Sequence, residues 1–269
     1  MKNKEFVIFD VETTGLSPSM GDRIIEIAAL RMKNGKAVDQ FHSLVDPERE
    51  ISYEAFLVNG ISSEMLIGAP RAAEILPRFL KFTKGACLVG HNIGFDLGFL
   101  NHELCLMGLD LDSNISILDT LRMARGLLPA QGSYSLLMVA RTLGIAKEQK
   151  HRAMSDVRLT YEVFLRLLDF AQEKSINTIN TLLRLFGANG KEGQDEELEN
   201  ITLIEEAIKS AKALNLSYFS GSRASVTKRK IIPKKLIRKR GKLTLVAFCH
   251  LRNEERDFRV DRILHLEKF

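Results

Sequence analysis

The sequence has no tryptophan, only three cysteines, and nowhere a run of about 18 apolar residues free of charge. The last absence argues against a membrane-spanning helix. The apolar start Phe6-Val7-Ile8-Phe9 stops at Asp10, too short for the hydrophobic region of a secretory signal, so a cytoplasmic protein with no membrane partner is expected. Cys87, Cys105 and Cys249 are odd in number, widely spaced and without a Cys-x-x-Cys pair, which argues against a disulfide framework and a zinc site. Cys87, within Ala86-Cys87-Leu88-Val89, reads as a small buried hydrophobe.

What is present fits an ordinary globular protein: 269 residues, 45% hydrophobic and 27% charged, enough for one large domain or for a medium domain and a small one. The net charge of +5 is unevenly spread. Residues 201–269 hold 17 basic against 7 acidic residues, and residues 1–200 hold 22 against 27. A basic rear behind an acidic front points to a polyanionic partner, with carboxylate chemistry in front. The composition changes at Gly187-Ala188-Asn189-Gly190, where a linker over 187–200 is expected to separate a domain at 1–186 from one at 201–269.

In the front part, short apolar runs at 6–9, 24–31 and 86–89 read as strands. They alternate with helical patterns at 72–82, 135–143 and 156–171, the mark of an α/β domain. In the rear, Ile204, Ala207, Ile208, Ala211 and Leu214 outline an amphipathic helix, followed by strand-like segments at 216–219 and 243–248.

Three acidic segments stand out. The strand-like run ending in Asp10-Val11-Glu12 puts both carboxylates on one side, because side chains repeat every two residues. Two such charges repel, and either a raised pKa or a divalent cation resolves it; two solvated acids at a strand end are the plain alternative. Asp96, in His91-Asn92-Ile93-Gly94-Phe95-Asp96, enters an apolar helix where a charge needs a partner, the helix dipole being one. In His151-Arg152-Ala153-Met154-Ser155-Asp156, a titrating imidazole on a polar approach precedes a carboxylate at the start of an amphipathic helix.

Taken in order, Asp10-x-Glu12, His91-Asn92-x-x-Phe95-Asp96 and His151-x-Ala153-x-x-Asp156 resemble the three motifs of the DEDDh 3′→5′ exonucleases. This DnaQ-like group contains the epsilon-type proofreading subunit of bacterial DNA polymerase III. Asp22-Arg23-Ile24-Ile25-Glu26-Ile27 and Leu118-Asp119-Thr120 match as well, and the likeness spans residues 4–172. The resemblance implies an RNase H-like mixed sheet flanked by helices. It also implies two divalent metal ions, Mg²⁺ or Mn²⁺, on Asp10, Glu12, Asp96 and Asp156, with His151 as general base. Thr13, Thr14 and Leu16, together with His91 and Asn92, would contact the strand, and the partner would be a single-stranded 3′ end, DNA favoured. Asp119 reads instead as the N-cap of a helix from Thr120.

Further on, Tyr218-Phe219-Ser220-Gly221, Ile232-Pro233-Lys234-Lys235-Leu236 and the stretch from Leu245 to Ile263 resemble a WYL domain, a small SH3-like β-barrel associated with nucleic-acid or nucleotide-like ligands. The triplet that names that family stands here as Leu243-Thr244-Leu245, in keeping with the missing tryptophan. Arg252, Arg256, Arg259 and Arg262 fall on its arginine-rich segment as candidate phosphate contacts. Between Arg223 and Lys242 stand ten bases and no acid, a set of charges that a phosphate backbone would neutralise. The linker shows no clamp-binding peptide, so a polymerase partner, a free-standing repair enzyme and an RNA-trimming enzyme all remain open, as does a regulator whose front domain is a non-catalytic scaffold.

Overall fold

The computed structural model describes residues 4–188, 194–221 and 224–269. The chain divides into two compact units, Met1–Arg122 with Gly132–Leu168 and Met123–Gln131 with Asp169–Phe269.

The first unit is built on a mixed five-stranded sheet. Its strands are β1 (Glu5–Thr13), β2 (Ile24–Lys33), β3 (Lys36–Leu44), β4 (Cys87–Gly90) and β5 (Ile117–Asp119), in the order β3-β2-β1-β4-β5. The pairs β1/β2 and β2/β3 are antiparallel, and β1/β4 and β4/β5 are parallel. Central position explains the unbroken apolar run of β1, because both faces of a middle strand are covered. Phe9 packs against Phe79 of helix α2 (Ala72–Thr83), ring centroids 5.6 Å apart, whereas Phe6 packs against Phe164 of helix α6 (Ala153–Glu173) at 5.2 Å. Odd-numbered side chains of β1 therefore face α2 and even-numbered ones face α6, the face to which Asp10 and Glu12 belong.

Helix α3 (Gly94–Leu106) is held to the β1/β2 hairpin by two acids seven residues apart, hence on one helical face. Asp96 Oδ1 accepts the Val11 N–H at 3.0 Å. Buried Glu103 accepts Arg23 Nε and Nη2, both at 2.7 Å, and the Ile24 N–H at 3.2 Å. The remaining α-helices of this part of the chain are the short helix α1 (Tyr53–Asn59), α4 (Thr120–Leu127) and α5 (Leu136–Thr142), with 3₁₀ turns at Pro18–Met20 and Ser63–Leu66. Edge strand β3 is largely exposed and β5 is only three residues long.

In the second unit, helices α7 (Ile179–Phe186) and α8 (Gln194–Ser210) precede strands β6 (Leu214–Ser220), β7 (Ser225–Lys239), β8 (Lys242–Cys249), β9 (Glu254–Arg259) and β10 (Ile263–Lys268). These strands form an all-antiparallel sheet in the order β10-β6-β7-β8-β9, with a short 3₁₀ turn at Val260–Arg262. Ile204 and Ala207 of α8 pack onto Leu214, Leu216, Ile231, Leu245 and Phe258. Pro233, which lacks an N–H, sits at an irregularity where the β7/β8 register shifts.

The structure departs from the sequence reading in three places. Helix α8 begins at Gln194, inside the 187–200 stretch, while 189–193 lie outside the described residues. Leu214, placed at the end of the amphipathic helix, opens β6 instead, because the helix stops at Ser210 and Ala211 turns left-handed at φ 51°. Helix α6 starts at Ala153, so Asp156 lies within its first turn rather than at its start.

No helix among the described residues is long and apolar enough to cross a membrane. Replacing Glu103 by Ala would strand the Arg23 guanidinium and leave the Ile24 N–H without its acceptor. Breaking one side of such a pair costs about 3 kcal/mol, and urea unfolding should show a loss of that order with an unchanged m-value.

Candidate active site

Asp10, Glu12 and Asp156 meet at the end of β1: each offers a carboxylate oxygen, and these lie within 4.8 Å of one another. The strand supplies the first two by its two-residue repeat, and the first turn of α6 supplies the third. Asp96 is placed beside this trio rather than within it, with Oδ1 on the Val11 N–H. Pairing of β1 with β4 ends at Ile8↔Val89, so Val11 needs another acceptor, and Asp96 provides it.

The electrostatics are those of like charges held out of water. Burial first, then Asp96, Glu12 and Asp156, push the Asp10 carboxyl well above its ordinary range. Burial, followed by Asp156 and Glu26, pushes Glu12 up to about 8. Burial raises Asp96 to about 7, against the opposing Val11 N–H bond. Asp156 is raised mainly by burial, with the amide of Gln149 pulling the other way. Gln149 Nε2 donates to Asp156 Oδ2 at 2.5 Å, whereas Asp156 Oδ1 is buried with no hydrogen-bond partner. Three carboxylates within reach of one another, one of them with an orphaned oxygen, make a donor set of hard oxygens, which fits a divalent cation such as Mg²⁺ or Mn²⁺.

The other residues singled out in the sequence take distinct places. His151 is exposed on the loop before α6, with a left-handed backbone at φ 48°, a conformation that costs a non-glycine residue roughly 1–2 kcal/mol. Thr14 is fully buried, its hydroxyl donating to Asp22 Oδ1 at 3.2 Å and accepting the Arg23 N–H at 3.0 Å. Thr13 donates its hydroxyl to the Gly15 carbonyl at 2.5 Å. Leu16 projects into solvent at 85% exposure. The turn between them needs glycine, since a Cβ on Gly15 would collide with the Asp22 carboxylate that clasps the loop.

His91, expected among the strand contacts, has both ring nitrogens engaged within the protein: Nδ1 with Thr120 Oγ1 at 2.9 Å and Nε2 with the Tyr134 carbonyl at 2.8 Å. Asn92 keeps an exposed side chain, and its N–H donates to Asp119 Oδ1 at 3.0 Å. Asp119 also accepts the Leu121 N–H at 2.9 Å, capping α4.

In the second unit, a cavity of about 340 Å³ is lined by Tyr218, Arg229, Arg252, Arg256, Asp257 and Phe258 among others. Arg259 is instead paired through two nitrogens with Asp261, and Arg262 lies beside Gly221. The basic run is also less bare than it reads, because β9 and the turn after it bring acids alongside: Lys234 meets Glu255, Lys239 meets Asp257 at 2.5 Å, and Lys242 meets Asp261 at 3.5 Å. Arg223 lies outside the described residues.

Sequence reading gave no role of their own to Glu26, Gln149 and Arg229: Glu26 stood only within the Asp22–Ile27 match and Arg229 only within the basic run, while Gln149 carried no signal. For Glu26 a further signal was there, as an acid in the middle of an apolar strand, where burial demands a partner.

A carboxyl whose pKa is raised in the folded state binds its proton more tightly there than in the unfolded chain. For Glu12 that stabilisation is complete below its ordinary value of 4.5 and is lost as pH climbs toward about 8. Metal-free protein should therefore melt lower at about pH 8 than at about pH 5. Millimolar Mn²⁺ should raise the melting temperature more at the higher pH, where protons no longer compete for the oxygens. A melting temperature indifferent to Mn²⁺ at pH 8 would contradict a cation site here.

Among known proteins, the exonuclease family pattern (RNase_T) matches residues 7–164 and the WYL domain pattern matches 199–268. A PolC-type DNA polymerase III of Caldanaerobacter subterraneus is 41% identical over 182 residues, and a DNA polymerase III subunit epsilon-like protein of Rhodobacter capsulatus is 40% identical over 190 residues. The matches cover 66% and 69% of this chain but only 13% and 27% of those proteins. Among solved structures, exonuclease X in complex with 5′-overhanging duplex DNA aligns with a TM-score of 0.51 at 25% identity, over 62% of this chain and 93% of that one. E. coli exonuclease I, in a complex with single-stranded DNA, shares the fold at 18% identity and a TM-score of 0.58, over 91% of this chain and 54% of its own. The chain belongs to the exonuclease family, in the DEDDh 3′→5′ group that its motifs resemble, and carries a WYL domain behind the exonuclease segment.

Proposed function

We propose that the chain hydrolyses nucleotides one at a time from the 3′ end of single-stranded nucleic acid, DNA in preference to RNA, in a proofreading or repair setting. The observation that carries this reading is the meeting of the Asp10, Glu12 and Asp156 carboxylates, one of which has an orphaned oxygen, with Asp96 beside them. In this reading Asp10, Glu12, Asp96 and Asp156 hold two divalent ions. When bound, such ions supply positive charge against the negative charge that builds on the phosphate during displacement. His151, exposed on the loop that leads into α6, takes the proton from the attacking water. Leu16 lies against the terminal base as an apolar stop, Asn92 offers an exposed amide to the strand, and buried Thr14 shapes the loop from behind.

The preference for DNA and the setting draw on the relatives, which are DNA polymerase III proteins matched over a small part of their length. In the WYL domain, Arg229, Arg252 and Arg256 stand with the rings of Tyr218 and Phe258 around one cavity, a combination suited to a phosphate and a base of a nucleic-acid or nucleotide-like ligand. A non-catalytic scaffold is disfavoured, since like charges held together without a cation destabilise the fold.

Incubated with Mn²⁺ or Mg²⁺, the chain should turn 5′-labelled single-stranded DNA into a descending ladder and release mononucleotides, faster than from a matched RNA strand. Asp10→Ala should abolish the ladder, and His151→Ala should slow it by about 10²–10⁴-fold, as expected for a lost general base. Intact strands after incubation with folded, metal-loaded protein would refute the activity.

For the rear domain, replacing Arg252 and Arg256 together by Ala should weaken oligonucleotide binding and flatten its salt dependence by about one unit of slope for each phosphate that is no longer neutralised. Binding titrations across a salt series measure both quantities.

A further inference from the structure

Beside the trio lies a fifth acid that the proposed chemistry does not use. Glu26 sits on β2 directly opposite Glu12 in the β1/β2 register and is 1% exposed. Its Oε1 accepts Arg152 Nη2 at 2.8 Å and stands 2.7 Å from His42 Nε2. Its Oε2 accepts Arg152 Nε at 3.0 Å and the Ala153 N–H at 3.0 Å. Both oxygens are thus occupied by groups of the protein, so Glu26 is placed to anchor rather than to ligate. Ala153 is the first residue of α6, whose opening N–H groups have no partner within the helix, and Glu26 supplies one from the sheet.

What Glu26 anchors is the pair of residues that directly follows His151. His151 itself holds a left-handed backbone at φ 48°. A side-chain-bearing residue persists in that conformation only where the flanking contacts over-determine it. On the near side, Gln149 is tied to Asp156 Oδ2; on the far side, Arg152 and Ala153 are tied to Glu26. The loop segment that presents the imidazole is therefore pinned at both ends, once to the helix and once to the sheet.

We propose that Glu26 is a positioning residue: through Arg152 and the Ala153 N–H it holds His151 in its left-handed conformation on the loop that leads into α6 and Asp156. The proposal rests on the reading of His151 as general base. Its sequence context makes the coupling direct, since no residue intervenes between the imidazole and the clamp.

The full chain, Glu26→Gln, His151→Ala and the double variant test it, with Mn²⁺ and a labelled single strand. Glu26→Gln keeps the side-chain shape but sets a donor against Arg152. We expect kcat to fall about 10- to 100-fold, the range for loss of a group that orients another, while KM and the affinity for Mn²⁺ alone change less than about threefold. The double variant should be no more than about twofold slower than His151→Ala, because both changes remove one function. Losses that multiply, or a full rate in Glu26→Gln, overturn the proposal.

Amide hydrogen exchange gives a reading that does not depend on turnover. Residues 151–153 should exchange at least about fivefold faster in Glu26→Gln while the amides of β1 keep their protection. Unchanged exchange at 151–153 overturns the proposal whatever the activity. Faster exchange in a chain that has no nuclease activity supports the anchoring by Glu26 and refutes instead the reading of the site as a nuclease.

Discussion

Negative charge crowded at the end of one buried strand is the constraint around which the first unit is arranged. At separations of about 4–5 Å, each pair of ionised carboxylates repels by about 3–4 kcal/mol at an effective dielectric near 20. Against the marginal stability of a domain, about 5–15 kcal/mol, even two such pairs are severe. Protonation relieves the repulsion in the absence of metal, which is the direction in which Asp10, Glu12, Asp96 and Asp156 are all shifted. A cation relieves it without that proton.

How fully each acid is compensated separates structural acids from those of the site. Glu103 has a bidentate arginine and a backbone N–H, and Glu26 has an arginine, a histidine and a backbone N–H. Asp119 accepts two backbone N–H groups. These acids tie helices to the sheet or cap them. Asp156 differs in kind, with one oxygen satisfied and the other buried and bare. Asp10 and Glu12 are raised first by burial and then by neighbouring acids, Asp156 among them. Asp96 is intermediate, with one backbone bond that fixes α3 while its charge still weighs on Asp10. The same logic applies in the second unit, where Asp261, pulled below the usual range by Arg259 and Lys242 despite its burial, serves the fold.

Periodicity made much of this legible. The run Phe6–Phe9 declared a covered strand, the two-residue repeat put Asp10 and Glu12 on one side, and the three-and-four spacing from Val157 to Leu168 marked α6. Strand β3 was illegible because Lys36, Asp39 and Gln40 give an exposed edge strand no apolar alternation. Strand β5 was hard to see because three residues carry no period. The bare look of the basic run had another cause: acids that neutralise a strand come from neighbours in the sheet, and Glu255 and Asp257 are far along the chain from Lys234 and Lys239. For His91, pattern could name the residue but not its partners, which are 29 and 43 residues away.

The margins of the first sheet have a consequence for how the chain behaves in company. A free strand edge is a template on which a second molecule can add its own backbone, and aggregation starts there. One margin, β5, ends after three residues and offers too little ladder to extend. The other, β3, exposes Lys36 and Asp39, so an incoming strand would have to strip water from both charges. Above that margin, Tyr161 reaches the carbonyl of Gly35 at 2.9 Å and fastens the β2–β3 turn to α6. The sheet is finished on both sides by brevity and by charge, which favours recovery of the native chain over filament growth when it unfolds and refolds at high concentration.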